Sequence, residues 1–268
     1  MNKRVLTLLI LVFTISVLVL CQDIFIIKRD DAVSKTDLPT ETEITDEEIT
    51  VTPEVTVLPT DTLKDTGKII YLTFDDGPYI YTEQLLDILD EYNVKCTFFV
   101  TDKYEDYTYL IKEEYARGHA IGAHSYTHDL SSVYNDYLSD LDKIENVIEN
   151  ATGSKTELIR FPGGSSNTIA DYKMPELIEE IEEMGYIYFD WDVDSNDATS
   201  AKNSSEVLEN LKDGVNESKN YSLILCHDVY DYTVDAIKEF IPWALEKGCT
   251  FDKLNIDSPT AHHPLKEN

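Results

Sequence analysis

"IIYLTFDDGPYIYTEQLLDILDEYNVKCTFFV", residues 69–100, decides the fold class. Its opening run, "IIYLTF" (69–74), is apolar without alternation, as in a strand covered on both faces. In "TEQLLDILDEY" (82–92), Leu85, Leu86, Leu89 and Tyr92 recur at helical spacing. "KCTFFV" (95–100) returns to an apolar strand. The alternation continues outward. "HAIGAH" (119–124), "LIRF" (158–161), "YIYFDWDV" (186–193), "YSLILC" (221–226) and "CTFDKL" (249–254) read as further strands. Between them the spacing predicts a helix from Tyr104 to Arg117, ended by Gly118. Another covers 134–153, with Tyr134, Leu138, Leu141, Ile144 and Ile148 on one face and Gly153 as its cap. A helix near 174–184 stops at Gly185, one capped by Ser204 or Ser205 runs to Val215, and the last reaches about Lys247. Apolar strands alternating with helices imply a parallel sheet covered by helices, an α/β fold. A barrel and an open doubly wound sheet both fit, and seven strands fall one short of a full barrel.

The chain has 268 residues and a formal net charge of −30. That acidity excludes nucleic acid as a partner, since phosphate binding needs basic patches. Neutral glycans and divalent cations remain compatible. Lys3 and Arg4 precede "VLTLLILVFTISVLVLC" (5–21), which holds no charge, and "IFII" (24–27) extends it. Residues 1–27 are therefore expected to be an uncleaved membrane anchor, with the rest of the chain outside. A cleaved signal or a lipidated Cys21 are the alternatives, although Leu20 is bulky for the latter. Residues 28–67 lack aromatic residues, are rich in Thr, Asp and Glu, and contain Pro39, Pro53 and Pro59. Such a segment cannot bury enough apolar surface to offset its ordering entropy, and reads as a disordered, self-repelling tether. Residues 68–268 are the globular domain. With Cys21 in the membrane, an odd number of cysteines remains, so a complete disulfide framework is excluded. Cys96 and Cys226 sit in strand-like runs as small buried residues.

Chemistry gathers where the strands end. Asp75 and Asp76 follow the first strand, and neighbouring carboxylates repel unless something binds or protonates one of them. Asp, Gly and Pro are also ordinary turn residues, so "DDGP" alone allows either reading. "HSYTH" (124–128) spaces His124 and His128 four apart, which puts two imidazoles on one face of a helical turn. One carboxylate and two imidazoles leave coordination positions open, as a catalytic metal site requires. "RFPGG" (160–164) offers the Arg160 guanidinium and backbone N–H groups, and "DVDSNDA" (192–198) offers three carboxylates. "LILCHD" (223–228) ends in His227. Each stretch alone reads as a turn, a solvated loop or a core histidine. Five strand ends carrying such groups toward one rim make those readings jointly improbable.

In order, the motifs TFDDG, H-S-x-x-H, R-x-P-x-G, D-x-x-D and L-x-L-x-H resemble those of the polysaccharide deacetylases, the family 4 carbohydrate esterases with a NodB-type homology domain. The likeness covers about residues 68–254. It implies a distorted (β/α) barrel of about seven parallel strands, a divalent metal, and hydrolysis of an N-acetyl or O-acetyl group on a glycan. Residue by residue, it implies Asp75 as general base, Asp76, His124 and His128 as metal ligands, and Arg160 as the tether of the base. His227 becomes the general acid, oriented by Asp197. Gly163 and Asp194 belong to the substrate side, Gly163 giving its N–H to the oxyanion and Asp194 supporting the loop. Many members carry an aromatic residue where Gly163 and Ala198 stand here, so a stacking surface for sugar is lost. Zinc suits the two His and one Asp, and cobalt, nickel or manganese can serve the same donors.

The expected substrate is N-acetylglucosamine in cell-wall peptidoglycan, because anchor and tether fit a polymer near the outer membrane surface. The expected location is the extracytoplasmic face of the membrane, or the exterior if the segment is cleaved. Chitin oligomers, poly-N-acetylglucosamine and acetylated xylan are alternatives within the same chemistry. A non-catalytic glycan-binding module would have lost one of the motif residues, and none is lost. A hydrolase of non-sugar amides would share the site.

Overall fold

The computed structural model describes residues 67–170 and 173–265. The anchor expected at 1–27 and the tether expected up to residue 66 lie outside the described residues. Among the described residues no helix is long and apolar enough to cross a membrane.

β1 (Ile69–Asp75) is buried from its second residue onward. α1 (Thr82–Glu91) turns Leu85, Leu86, Ile88 and Leu89 inward, and β2 (Thr97–Thr101) returns parallel, with Thr97 opposite Thr73. The helix expected from Tyr104 is broken into a 3-10 turn (Glu105–Tyr107) and α2 (Leu110–Ala116). Two local demands compete with the helix there. The Tyr104 and Tyr107 rings pack on Tyr79, with centroids 4.2 and 5.2 Å away, and the Thr108 hydroxyl donates to Asp102 at 2.5 Å. β3 (Ala120–Ser125) leads to a short α3 (Leu130–Val133) and then α4 (Tyr137–Thr152). The helix expected over 134–153 thus starts late, at the Asp136 cap, and Gly153 ends it with φ +88° as expected.

β4 (Leu158–Ile159), α5 (Met174–Glu183), β5 (Ile187–Tyr188) and β6 (Val193–Asp194) follow. "YIYFDWDV" is therefore two short strands and not one. α6 (Ser204–Glu217) is capped by Asn203, whose side chain accepts the Glu206 N–H at 3.1 Å, and not by either serine. β7 (Tyr221–His227), α7 (Asp231–Glu246) and β8 (Thr250–Asp252) complete the order.

The pairing is parallel throughout. Among the described residues seven strands run in the order β5-β4-β3-β2-β1-β7-β6 and β8 joins beside β1. The seven expected runs thus give eight strands, once 186–193 divides into β5 and β6. There is room for β8 because β2 pairs β1 only from Thr73 on, leaving Ile69–Tyr71 for Thr250–Asp252. β5 and β6 are the two edges, so the sheet curls into a barrel open on that side. The C-terminal segment lies across the opening. Asp190 N–H donates to Ala261 O (2.9 Å), His263 N–H donates to the Asp190 carboxylate (2.8 Å), and the His262 ring stacks 3.9 Å from Tyr188.

Successive side chains of β1 face opposite ways. Ile70, Leu72 and Phe74 join the main core that the helices cover. Tyr71 points into the barrel with Phe99, Leu158, Phe189, Leu223 and Leu254. Thr73 and Asp75 share that inward face, and Cys96 and Cys226 are buried thiols.

α6 packs on β6 closely enough to require a glycine. A Cβ on Gly214 would lie 2.3 Å from Val193 Cγ1 and 3.1 Å from its Cβ. Gly214→Ala should gain up to about 1 kcal/mol of helix propensity yet lose about 1–3 kcal/mol to overpacking. The net effect is a lower urea midpoint at unchanged slope. In a Val193→Ala background the same substitution should stabilise; equal effects in the two backgrounds would contradict the packing account.

Candidate active site

Parallel strands bring their C-terminal ends to one rim. Asp75 closes β1, and Asp76 follows with φ +73°. His124 lies within β3 and His128 on the loop beyond it, with φ +56°. The two imidazoles thus do not share a helical turn, as their spacing suggested. The left-handed residue folds the loop back, and the rings meet with centroids 5.1 Å apart. Two side chains hold this loop. Ser125 Oγ accepts the His128 N–H at 3.0 Å, and Asp140 from α4 accepts the Tyr126 N–H at 2.8 Å.

Asp76, His124 and His128 each aim one ligand atom at a common point, all within 4.8 Å of one another. His124 Nδ1 lies 2.8 Å from Arg160 O. A carbonyl can only accept, so Nδ1 carries the proton and Nε2 presents its lone pair to the site. Asp76 Oδ1 is 3.4 Å from His124 Nε2 and 3.0 Å from His128 Nε2. Ligand atoms about 2.0–2.1 Å from a tetrahedral ion stand roughly 3.3 Å apart, so the set fits a divalent cation. Asp76 Oδ1 is also buried with no hydrogen-bond partner among the described residues, as an oxygen reserved for a cation would be. Burial pushes the Asp76 carboxyl up, but His124 close against it, with His128 and His227, overrides this and holds it well below the usual range. Burial, with His124 beside it, lowers His128 to about 4. Burial lowers His124 as well, but Asp75 and Asp76 prevail and raise it, so a cation displaces a proton there. The Asp76 carboxylate and the neutral His128 are already in the forms a metal requires.

Asp75 is buried beside this set, its Oδ2 3.8 Å from His124 Nε2. Its other oxygen accepts from Arg160 Nη1 at 2.8 Å. Arg160 is fully buried and also donates to Thr73 Oγ1 (2.6 Å), Phe189 O (2.9 Å) and Asp190 O (3.0 Å). Its guanidinium stacks 4.3 Å from the Phe99 ring.

His227 ends β7, opposite Asp75 in the register. Its Nδ1 lies 2.7 Å from Asp197 Oδ1, and its backbone N–H donates to Asp197 Oδ2 at 2.7 Å. Thr233 Oγ1 and the Ala198 N–H, both at 2.8 Å, complete the fully buried carboxylate's partners. Burial pushes the imidazole down, but the hydrogen bond and charge of Asp197 prevail and raise it to about 9. Asp194 accepts the Asn196 N–H at 2.7 Å and so braces the loop that leads to Asp197.

Gly163 is exposed in a turn with φ +77°, and no hydrogen bond engages its N–H among the described residues. Ala198 is exposed and brings no ring. Aromatic rings stand elsewhere on the rim: Tyr79, Tyr104 and Tyr107 in contact, and Tyr230 stacked on Tyr232 and 6.2 Å from His227.

The sequence reading did not assign Thr73, Asp140, Asp190 or Asp228. Asp190 accepts from Ser165 N–H (2.8 Å) and from the Ser165 hydroxyl, and so ties the Gly-rich turn to the C-terminal segment. Asp228 is fully buried, and burial raises it to about 7. Its place directly after His227 in "LILCHD" was the one available signal.

Residues 62–187 match the model of the family described as polysaccharide deacetylase. A peptidoglycan-N-acetylglucosamine deacetylase of Bacillus cereus is 32% identical over 214 residues, covering 74% of this chain and 72% of that one. A chitin deacetylase of Arthroderma benhamiae is 32% identical over 63% of this chain and 45% of its own. The solved catalytic domain of a peptidoglycan N-acetylglucosamine deacetylase from Eubacterium rectale is 40% identical, with a TM-score of 0.72 over 74% of this chain and 94% of that one. With this identity carried over most of a relative's length, and with the five strand-end motifs on one rim, the chain belongs to the polysaccharide deacetylase family.

Proposed function

We propose that the protein is a metal-dependent hydrolase that removes N-acetyl groups from N-acetylglucosamine units of peptidoglycan. One observation carries the reading. A cation-binding triad sits on one rim between two fixed pairs, Arg160–Asp75 on one side and Asp197–His227 on the other. That is the equipment of amide hydrolysis: a base for water, an electrophilic centre and an acid for the leaving nitrogen. The names of similar proteins support peptidoglycan first and chitin second. The apolar segment at 5–21 supports a wall-side location on an anchor.

Asp76, His124 and His128 hold the ion, with zinc the best match to two imidazoles and one carboxylate. When bound, it polarises the acetyl carbonyl and acidifies water. Asp75, oriented by Arg160, takes a proton from the attacking water. In this reading the Gly163 N–H, free of any hydrogen bond among the described residues, donates to the oxygen that gains charge as the carbonyl carbon becomes tetrahedral. The C–N bond then breaks as His227 Nε2–H gives its proton to the nitrogen, releasing acetate and an amine. Asp197 holds His227 in the tautomer and charge state this step needs. The tyrosines near Tyr79 and Tyr230 offer a sugar the faces that Gly163 and Ala198 do not.

Acetate release from peptidoglycan, chitin oligomers, poly-N-acetylglucosamine and acetylated xylan tests the substrate. Peptidoglycan should give the highest kcat/KM; no release from it beside clear release from another polymer would replace it with that polymer. Chelation should abolish release, and Zn²⁺ or Co²⁺ should restore it. Full activity in a preparation shown to be metal-free would remove the mechanism.

His227→Ala should keep the metal and slow amide turnover by roughly 10²–10⁴-fold. It should slow an O-acetyl ester less, because an alkoxide leaves unprotonated more readily than an amine anion. Equal slowing of amide and ester would argue against an acid at this position. The pH profile gives an independent check. His227 works protonated, so kcat falls as pH rises through its pKa. Asp197→Asn removes the charge that raises that pKa, and the alkaline limb should move to lower pH. A limb that stays in place assigns it to another group.

A further inference from the structure

We propose that Asp228 is a positioning residue for the metal ligand Asp76, its buried carboxyl clamping the Gly77–Tyr79 turn so that Asp76 stays aimed at His124 and His128. The proposal rests on the metal site described above. β7 and β1 run in register up to His227 opposite Asp75, which places Asp228 beside the turn that leaves β1. The carboxyl is fully buried and reaches across to that turn. The Thr82 hydroxyl donates to Asp228 Oδ2, and Thr82 Oγ1 in turn accepts the Tyr79 N–H at 2.8 Å. On its other side the turn is held by β2. Thr101 N–H donates to Gly77 O at 2.7 Å, and Thr101 Oγ1 donates to Asp76 O at 2.8 Å.

Gly77 shows how tightly the clamp closes. A Cβ there would fall 2.1 and 2.2 Å from the two carboxylate oxygens of Asp228. Gly77 is not among the residues with positive φ, so its backbone does not demand glycine. The space does: the carboxyl occupies the place a side chain would take. Asp76 is the residue in the left-handed region, at φ +73°. That conformation costs an L residue about 1–2 kcal/mol and persists only where neighbours hold it. Thr101 and Asp228 are those neighbours, one on each flank. Among the described residues Asp228 Oδ1 has no hydrogen-bond partner, so the carboxyl is kept here without full satisfaction of its own atoms. An apolar residue would cost less at this position and could not engage Thr82.

The affinity of the full chain for Zn²⁺ alone, measured by competition with a chromophoric chelator and without substrate, tests the clamp. Asp228→Ala should weaken Zn²⁺ binding about 10–100-fold, the usual cost of losing a partner behind a ligand. Asp228→Asn keeps the shape and the acceptor for Thr82 and should recover most of the affinity, which a role in bulk packing would not require. Gly77→Ala should weaken Zn²⁺ binding by overlap with the carboxyl. Gly77→Ala with Asp228→Ala should bind Zn²⁺ more tightly than Gly77→Ala alone, because the new methyl enters the vacated space. Should Asp228→Ala not fold, that pair and the Asn variant still give the answer. Unchanged affinity in Asp228→Ala, or equal loss in the Ala and Asn variants, overturns the proposal. So does additivity of the Gly77 and Asp228 effects. A wild-type chain that binds Zn²⁺ but releases no acetate from any polymer sinks the proposed activity and leaves the clamp standing. A wild-type chain that takes up no Zn²⁺ removes both.

Discussion

A guanidinium inside a barrel is the constraint on which the rest of this structure depends. Arg160 has no solvent exposure, and a buried cation is tolerated only when paired and fully hydrogen-bonded. Its partners are drawn from two places. Asp75 and Thr73 come from β1, while Phe189 O and Asp190 O come from the stretch between β5 and β6, where strand pairing stops. An open barrel leaves backbone carbonyls without a ladder partner, and buried carbonyls must find donors. Arg160 supplies them, and the same side chain fixes Asp75, the carboxylate proposed as the base. Breaking a buried pair of this kind by removing one partner costs about 3–5 kcal/mol. Closure of the fold and orientation of Asp75 are therefore one interaction.

The charges of the site follow a common pattern despite the strongly acidic chain. Each functional group has a private partner and keeps one atom for the rim. Asp75 gives one oxygen to Arg160 and leaves the other near His124. His124 gives Nδ1 to a carbonyl and leaves Nε2 for the ligand set. His227 gives Nδ1 to Asp197 and leaves Nε2 outside that pair. Asp197 in turn accepts four donors, so it can remain ionised in a fully buried place and stabilise the imidazolium. The net charge of the chain has little bearing on this arrangement, because each group is governed by contacts within about 3 Å, far inside the screening length.

Much of this was legible in the sequence because the chemistry sits where apolar runs end. Asp75, His124, Arg160, Asp194 and His227 each lie at or beside a strand terminus, and strands read well when buried on both faces. What was not legible depended on partners distant in the chain. "YIYFDWDV" looks like one strand, yet Asp190 is taken by Ser165 and by the C-terminal segment through His263, which splits the run. The four-residue spacing of His124 and His128 fits a helical turn, and only φ +56° at His128 distinguishes a strand exit that folds back. Asn203, Ser204 and Ser205 are all able to cap a helix, and pattern alone could not choose among them. Asp228 was visible beside His227, but its meaning lies in Thr82, 146 residues away, and in Gly77 near it.

The turns of the rim share a construction that explains how such a site can be ready before any ion arrives. Four non-glycine residues have positive φ among the described residues, and three of them, Asp76, His128 and Asn196, lie on the loops after β1, β3 and β6. Asp and Asn tolerate this region better than most residues, yet the conformation still has a cost. In each case a hydrogen bond between the backbone and a neighbouring side chain offsets that cost. Thr101 holds Asp76, Ser125 holds His128, and Asp194 holds Asn196. All three bonds lie within the protein and need no cation. The ligand atoms of Asp76 and His128 are thus brought together by the turns themselves, and so is the loop that sets Asp197 against His227. A site built this way meets the ordering cost during folding rather than at binding, which is what preorganisation means in energetic terms.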